Sequence, residues 1–306
     1  MKRLDAIKAM GVVLAVLLLA GCKTAPPAQV VQVTPPVTTT PLPVAKRPPV
    51  VGLALGGGAA RGFAHIGVIQ VLEEAGIRPN LVVGTSAGSL VAALYASGKS
   101  GAQLLQVAQT MDEAAIADWT LQIFSRGALR GEALSRYVNS QVNGLLVENM
   151  VLPLGIVATD LHTGQGVLFQ RGDTGVAVRA SSAVPALFQP VRISGREYVD
   201  GGLVSPVPVL YARQMGAELV IAVDISSPPE GNAAADTLDI LMQTFNIMSK
   251  SINRYELRDA DVVVRPALLG IASADFSSRK RAIEAGRQAM LLALPQLRAA
   301  IEAKTR

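Results

Sequence analysis

The 306-residue chain has one cysteine, Cys22, and two histidines, His65 and His162. A single cysteine excludes an internal disulfide and any metal site built on several thiolates. A histidine-rich zinc site would need both histidines plus carboxylates, and the two lie far apart with no ligand-like spacing. The reading therefore expects no metal. Charge is also sparse. Charged residues are 17% of the chain and the formal net charge is +5, with no dense basic run, so a nucleic-acid partner is not expected. Half of the residues are apolar. That composition, at this length, fits a well-cored globular protein of one large domain or two small ones and argues against disorder.

The start of the chain reads as an address. Lys2, Arg3 and Lys8 precede the apolar stretch AMGVVLAVLLLAGC. At about a dozen residues this stretch is too short for a comfortable permanent span, and with a basic start and small residues before a cut point it reads as a secretory signal. Its end, Leu19-Ala20-Gly21-Cys22, resembles the lipobox of bacterial lipoproteins, with the chain's only cysteine at the position that motif needs. The resemblance implies a signal peptide over residues 1–21, cleavage before Cys22, and acyl chains on Cys22 that anchor the protein to a membrane. Lys23, where an aspartate would suggest inner-membrane retention, leans the expectation toward the outer membrane of a bacterial cell envelope, facing the periplasm. Residues 22–49 are rich in proline and threonine and lack glycine after Cys22. They cannot bury a core and read as a semi-stiff tether, reaching roughly 80 Å at most if fully extended.

The folded domain is expected over residues 50–306. Val50 to Leu55 and Leu81 to Val83 are short, wholly apolar runs. Each leads through a glycine-containing turn into a helical pattern, Phe63 to Ala75 and Ser89 to Ser97. Strands that are apolar throughout are buried on both faces, which predicts an α/β fold with a parallel sheet covered by helices. Further strands are expected at Leu152 to Thr159, Val167 to Phe169, Glu197 to Val199, Leu219 to Ile225 and Asp261 to Pro266. Gly101 to Gly144 reads as mostly helical, with breaks at Gly127 and Gly131. A last helix places Met290, Leu294, Leu297 and Ile301 on one packing face. There is no internal repeat and no second domain boundary after Pro49.

Three stretches carry chemistry. Gly84-Thr85-Ser86-Ala87-Gly88 is G-x-S-x-G between a strand and a helix. Small neighbours allow a sharp turn that projects Ser86 at a helix N-terminus, where the dipole favours negative charge. A plain glycine-rich turn is the competing reading. A nucleophilic serine needs a base, and the histidines serve poorly: His162 sits in a polar turn, and His65 lies inside the first helix, where a partly buried residue bonding a neighbour is expected. A desolvated carboxylate is the other option. Asp200 in REYVDGG is the best candidate, with Gly201 and Gly202 turning the backbone beside it, although Asp-Gly-Gly alone is an ordinary turn. The third stretch is Gly56-Gly57-Gly58-Ala59-Ala60-Arg61-Gly62, between a strand and a helix. It fits neither Gly-Lys-Ser/Thr nor G-x-G-x-x-G, so a nucleotide loop fails in detail. An oxyanion hole is the alternative, in which each backbone donor contributes about 3–4 kcal/mol. Arg61 would add charge or, as preferred here, hold the loop.

Together and in this order, the three stretches resemble the patatin-like phospholipase family, and Arg179 to Pro208 is similar to its short bacterial members. Ala59 departs from the fourth glycine common in the family. The resemblance implies a three-layer α/β/α sandwich with a mainly parallel sheet. It also implies a serine–aspartate dyad, Ser86 and Asp200, without histidine, and an oxyanion hole at Gly56, Gly57 and Gly58 with Arg61 beside it. Gly84 and Gly88 would form the elbow. Ser181 to Val191 would line an acyl pocket, unless its apolar residues are core. No metal and no cofactor are implied, and the partner would be a membrane lipid or another acyl ester. Two other functions share the fold: a lipid- or partner-binding lipoprotein with little catalysis, and an acyltransferase, whose acyl-enzyme is the same. The residues name no protein partner.

Overall fold

The computed structural model describes residues 46–111, 127–226, 237–272 and 275–306. Strand β1 (Val51–Leu55) leads through a 3-10 turn (Ala59–Phe63) into α1 (Ala64–Glu74). β2 (Leu81–Thr85) turns sharply into α2 (Ala87–Ala96), and α3 (Gly101–Thr110) follows. Ser100 starts α3 with a reciprocal capping box to Gln103. Next come β3 (Gly127–Leu129), α4 (Glu132–Gln141), β4 (Leu154–Asp160), β5 (Gly166–Phe169) and α5 (Thr174–Ser181). Then follow β6 (Ala186–Phe188), β7 (Val191–Ile193), β8 (Arg196–Asp200), α6 (Val209–Gln214) and β9 (Leu219–Val223). Helix α7 (Thr237–Glu256), β10 (Val262–Val264) and α8 (Arg279–Lys304) complete the described order.

The main sheet runs β10-β9-β1-β2-β4-β8-β7, with β5 also paired to β4. The pairs from β10 through β9, β1 and β2 to β4 are all parallel, whereas β5, β7 and β8 join antiparallel. The mainly parallel α/β sheet expected from the sequence is therefore present. Alternate strand residues face opposite cores. Leu53, Leu55, Ile156 and Ile221 pack with α1, α2, α3 and α8, while Ala54, Val157, Val220 and Ala222 pack with α6 on the other face. Covering both faces explains the unbroken apolar runs in these strands.

The register of β4 positions the site. On one edge Val157 pairs with Thr85 of β2, and the next residue, Ala158, pairs with Asp200 of β8. The opposite edge is taken by β5. A parallel and an antiparallel partner thus share one edge of β4, and their C-terminal ends meet. Ser86 follows one end, and Asp200 is the other.

Several details differ from the sequence reading. The interval 101–144 holds α3 and α4, but Gly127 opens strand β3, which pairs parallel with β6; residues 112–126 lie outside the described set. The reading assigned nothing to α7. The compact unit begins at Lys46, ahead of the expected Val50. Arg47 there pairs with Glu218 at 2.8 and 2.9 Å, and its backbone exchanges hydrogen bonds with Arg306. In α8, Met290 and Leu297 are fully buried, and Leu294 and Ile301 pack on the same core, as the spacing predicts.

Candidate active site

Ser86 has a positive φ of 53° with ψ −125°, a conformation that residues with a side chain rarely adopt. A non-glycine residue pays strain for this conformation, so the surroundings must fix it. They do so from several sides. A side chain at Gly84 would overlap the Gly88 carbonyl, and one at Gly88 would overlap the Leu55 carbonyl, so both elbow glycines are required by close approach. The Ser86 N–H donates to Ser181 Oγ (2.9 Å), which itself donates to the Val157 carbonyl (2.6 Å). The Ser86 carbonyl accepts from Ser89 Oγ (2.6 Å) and from the Ser89 N–H (2.8 Å). Thr85 Oγ1 donates to the Ser205 carbonyl (2.9 Å).

Asp200 is almost fully buried at the end of β8. Oδ1 accepts from the Gly202 N–H at 2.7 Å, and Oδ2 has no hydrogen-bond partner. Burial pushes its pKa up to about 6, against the opposing pull of the Gly202 N–H and the Ser86 hydroxyl. The Ser86 hydroxyl is thus close enough to lower the Asp200 pKa, yet no bond between them meets strict hydrogen-bond geometry. Catalytic contacts of this kind commonly tighten only when substrate is bound.

The glycine loop lies against Ser86, and its donors differ from the expectation. The Gly56 N–H is bonded to the Val223 carbonyl (3.1 Å) and the Gly57 N–H to the Pro206 carbonyl (2.9 Å). These two donors are committed to holding the loop, which leaves Gly58 as the loop glycine with a donor to offer. A second donor comes from Ala87, whose N–H begins α2 and so has no partner within the helix. Arg61 is buried and its Nε donates to the Gly58 carbonyl at 3.2 Å, so it braces the loop instead of donating to the site. Desolvation lowers its pKa to about 10, which leaves it cationic at neutral pH.

The two histidines are held by contacts of their own. His65 is fully buried, beyond the partial burial expected, and its Nε2–H donates to the Gly56 carbonyl at 2.8 Å. Burial lowers its pKa to about 4, so it is a neutral strut under the loop. His162 is exposed on the turn after β4, with Nε2 3.3 Å from Glu197 Oε2.

Two spaces meet at Ser86. A small cleft of about 90 Å³ lies over Gly58, Arg61, Ser86, Asp200 and Gly202, and α7 walls it with Met242, Phe245, Asn246 and Ser249. A second cavity of about 210 Å³ runs from Ser86 along α2, past Leu90, Val91 and Leu94, to Leu104 and Val107 of α3. Val184, Leu187 and Phe188 close it, which places the Ser181–Val191 stretch on the cavity wall. Ser181 and Ser205 were missed as site residues. Each reaches the elbow across a wide sequence separation, and a lone buried serine carries no local signal; the only hint is that Ser181 opens the stretch already marked as pocket lining.

Residues 53–213, more than half of the chain, match the patatin family, described as patatin-like phospholipase. An uncharacterized NTE family protein of Mycobacterium tuberculosis is 35% identical over 204 residues, covering 66% of this chain and 56% of that one. Patatin-like phospholipase domain-containing protein 6 of Mus musculus is 35% identical over 188 residues, covering 59% of this chain and 14% of that one. The chain thus spans about half the length of the mycobacterial relatives it matches and much less of the mouse protein. The crystal structure of VipD from Legionella pneumophila resembles it with a TM-score of 0.55 at 17% identity, covering 82% of this chain and 67% of that one, a likeness of fold. With its elbow serine facing a buried aspartate at the end of a mainly parallel sheet, the chain belongs to the patatin-like phospholipase family.

Proposed function

We propose that the protein is a serine hydrolase of lipid acyl esters, of the phospholipase A or lysophospholipase kind, anchored to a bacterial envelope membrane through Cys22. The observation that carries the reading is the position of Ser86. It stands where a small cleft holding a buried carboxylate meets a longer, almost wholly apolar cavity, which suits an ester with a hydrocarbon tail. Ser86 Oγ attacks the ester carbonyl carbon as its proton passes to Asp200. The N–H groups of Gly58 and Ala87 hold the oxyanion that forms. Collapse breaks the ester C–O bond, and Asp200 returns the proton to the leaving alcohol. Water then attacks the acyl-serine with Asp200 again taking a proton, and the fatty acid leaves as Ser86 recovers its hydrogen.

One experiment tests both parts. Cells making the full chain are fractionated and treated with a fluorophosphonate probe. The wild-type chain is expected to label in the membrane fraction, Ser86→Ala to lose the label, and Asp200→Asn to label far more slowly. Cys22→Ser is expected to keep the reactive serine but lose the mass of the acyl chains. Labelling that survives Ser86→Ala would refute the nucleophile, and an unmodified Cys22 in the wild-type chain would refute the anchor.

A further inference from the structure

Helix α7 carries apolar residues on two faces. Its inner face walls the cleft above the dyad, and farther along the same face Asn253 and Glu256 are buried. At about 100° per residue, Ile240, Ile247 and Tyr255 fall on the opposite side, with Met248 at its border. They are 57%, 54%, 63% and 41% exposed. Thr244 and Ser251 complete this outer stripe with small, exposed side chains. A helix that already buries one face has no packing reason to show a second apolar one to water. Cationic residues adjoin it: Lys250 and Arg254 lie along one flank, and the Arg258 guanidinium stands 5.1 Å over the Tyr255 ring.

We propose that the outer face of α7 docks on a lipid bilayer and so brings the cleft that its inner face walls close to the lipid. The proposal rests on the lipid acyl-ester reading. Its occupant follows from the helix itself: one side of α7 lines the space where an ester must sit, and Met242 also borders the apolar cavity. A hydrocarbon tail that passes from bilayer to cavity along α7 is spared exposure to water, which favours a lipid surface as the occupant. The flanking cations complement anionic headgroups.

Docking is read without catalysis in the full chain carrying Cys22→Ser and Ser86→Ala. Ile247→Cys is labelled with a nitrobenzoxadiazole fluorophore, and Leu292→Cys, at an 83% exposed apolar position on α8, is the control. With phosphatidylcholine vesicles the label at 247 is expected to brighten and shift to the blue, more so when phosphatidylglycerol is included, while the label at 292 stays as in buffer. Whatever else holds the chain on the vesicle, the two labels report which face touches. Equal responses, or none, would overturn the proposal. So would a concentration-dependent shift at 247 without vesicles, which would mark a contact between two copies. In the active chain, Ile240→Asp with Ile247→Asp is expected to cut hydrolysis of vesicle phospholipid by about tenfold or more. Turnover of a short-chain ester dissolved as monomers is expected to stay within about twofold. Equal loss on both substrates would make the stripe merely structural and overturn docking. If the parent chain hydrolysed neither substrate, the acyl-ester reading would fall, and the labels would still decide docking.

Discussion

Asp200 gains its basicity from the same burial that makes it costly to keep. Its carboxyl titrates at about 6 in the folded chain against an ordinary 3.8, because desolvation outweighs the Gly202 N–H and the Ser86 hydroxyl. In the proposed mechanism the carboxylate is the working base, so hydrolysis should rise with pH through about 6 and level off above it. Stability runs the other way. The folded state holds this proton more tightly than the unfolded state, so the contribution is full below about pH 4 and is lost as pH rises through about 6. Asp200→Asn removes the buried charge and keeps an acceptor for Gly202. It should lower kcat by about 10²–10⁴ while adding about 1–3 kcal/mol of stability above pH 6. Denaturant unfolding of the two chains at neutral pH checks this, and an asparagine chain less stable than the parent would contradict it. Ser86, Asp200 and the glycine loop are legible in the sequence because each motif fixes its own local turn. Ser181 and Ser205 are not, since their contacts to the elbow close only when β4 has aligned segments 95 and 120 residues apart. The donors also escaped the sequence: only the fold reveals that Gly56 and Gly57 are already bonded to Val223 and Pro206.

The segment after Asp200 links elements that are distant in the chain. Ser205 accepts from Thr85 beside Ser86, Pro206 accepts from Gly57 in the glycine loop, and Ser205 Oγ donates to Glu256 at the end of α7 (2.5 Å). Glu256 thereby braces the strut that joins base, elbow and loop. It is buried, and desolvation raises its pKa to about 7, opposed by Ser205 and by the N–H groups that open α6, and aided by Asp259. Its folded pKa lies above the ordinary 4.5, so its contribution is full below about 4.5 and is lost as pH rises through about 7. Glu256→Gln keeps the acceptor and sheds the charge, and should stabilise the chain by about 1–3 kcal/mol above pH 7. Glu256→Ala unties Ser205 and should destabilise it by about 1–3 kcal/mol and slow hydrolysis. Thermal melts at pH 5 and pH 8 separate the two, and a glutamine chain that melts below the parent at pH 8 would refute the brace. The strands of the main sheet were legible because burial on both sides writes an apolar run. Helix α7 was not assigned, although its sequence carries an amphipathic helical period. The three-residue strands β3, β6 and β7 are too short to show any period.

The small cleft over a buried carboxylate and the apolar cavity along α2 have little in common except Ser86, Val184, Ala59 and Met242, which line both. In the proposed reaction that junction divides the substrate as an amphiphile is divided, with the ester at the serine and the tail along the core. The cavity is bounded by residues of the main hydrophobic cluster, so its depth is set by core packing and chain-length preference should follow core volume. Leu94 lies two turns beyond Ser86 along α2 and is nearly buried. Leu94→Phe adds bulk on the cavity wall, at a cost of about 1–3 kcal/mol in stability. It should cut kcat/KM for long-chain esters by about tenfold relative to short ones, the energy of one or two lost methylene contacts. Leu94→Ala should enlarge the space, cost about 2–5 kcal/mol, and move the preference toward longer chains. Rates measured over a series of p-nitrophenyl esters of increasing length give both ratios. If the two variants lower all lengths in proportion, the cavity holds no tail and the division at Ser86 does not describe the substrate. If the preference moves in opposite directions, the same packing that stabilises the sheet also measures the acyl chain.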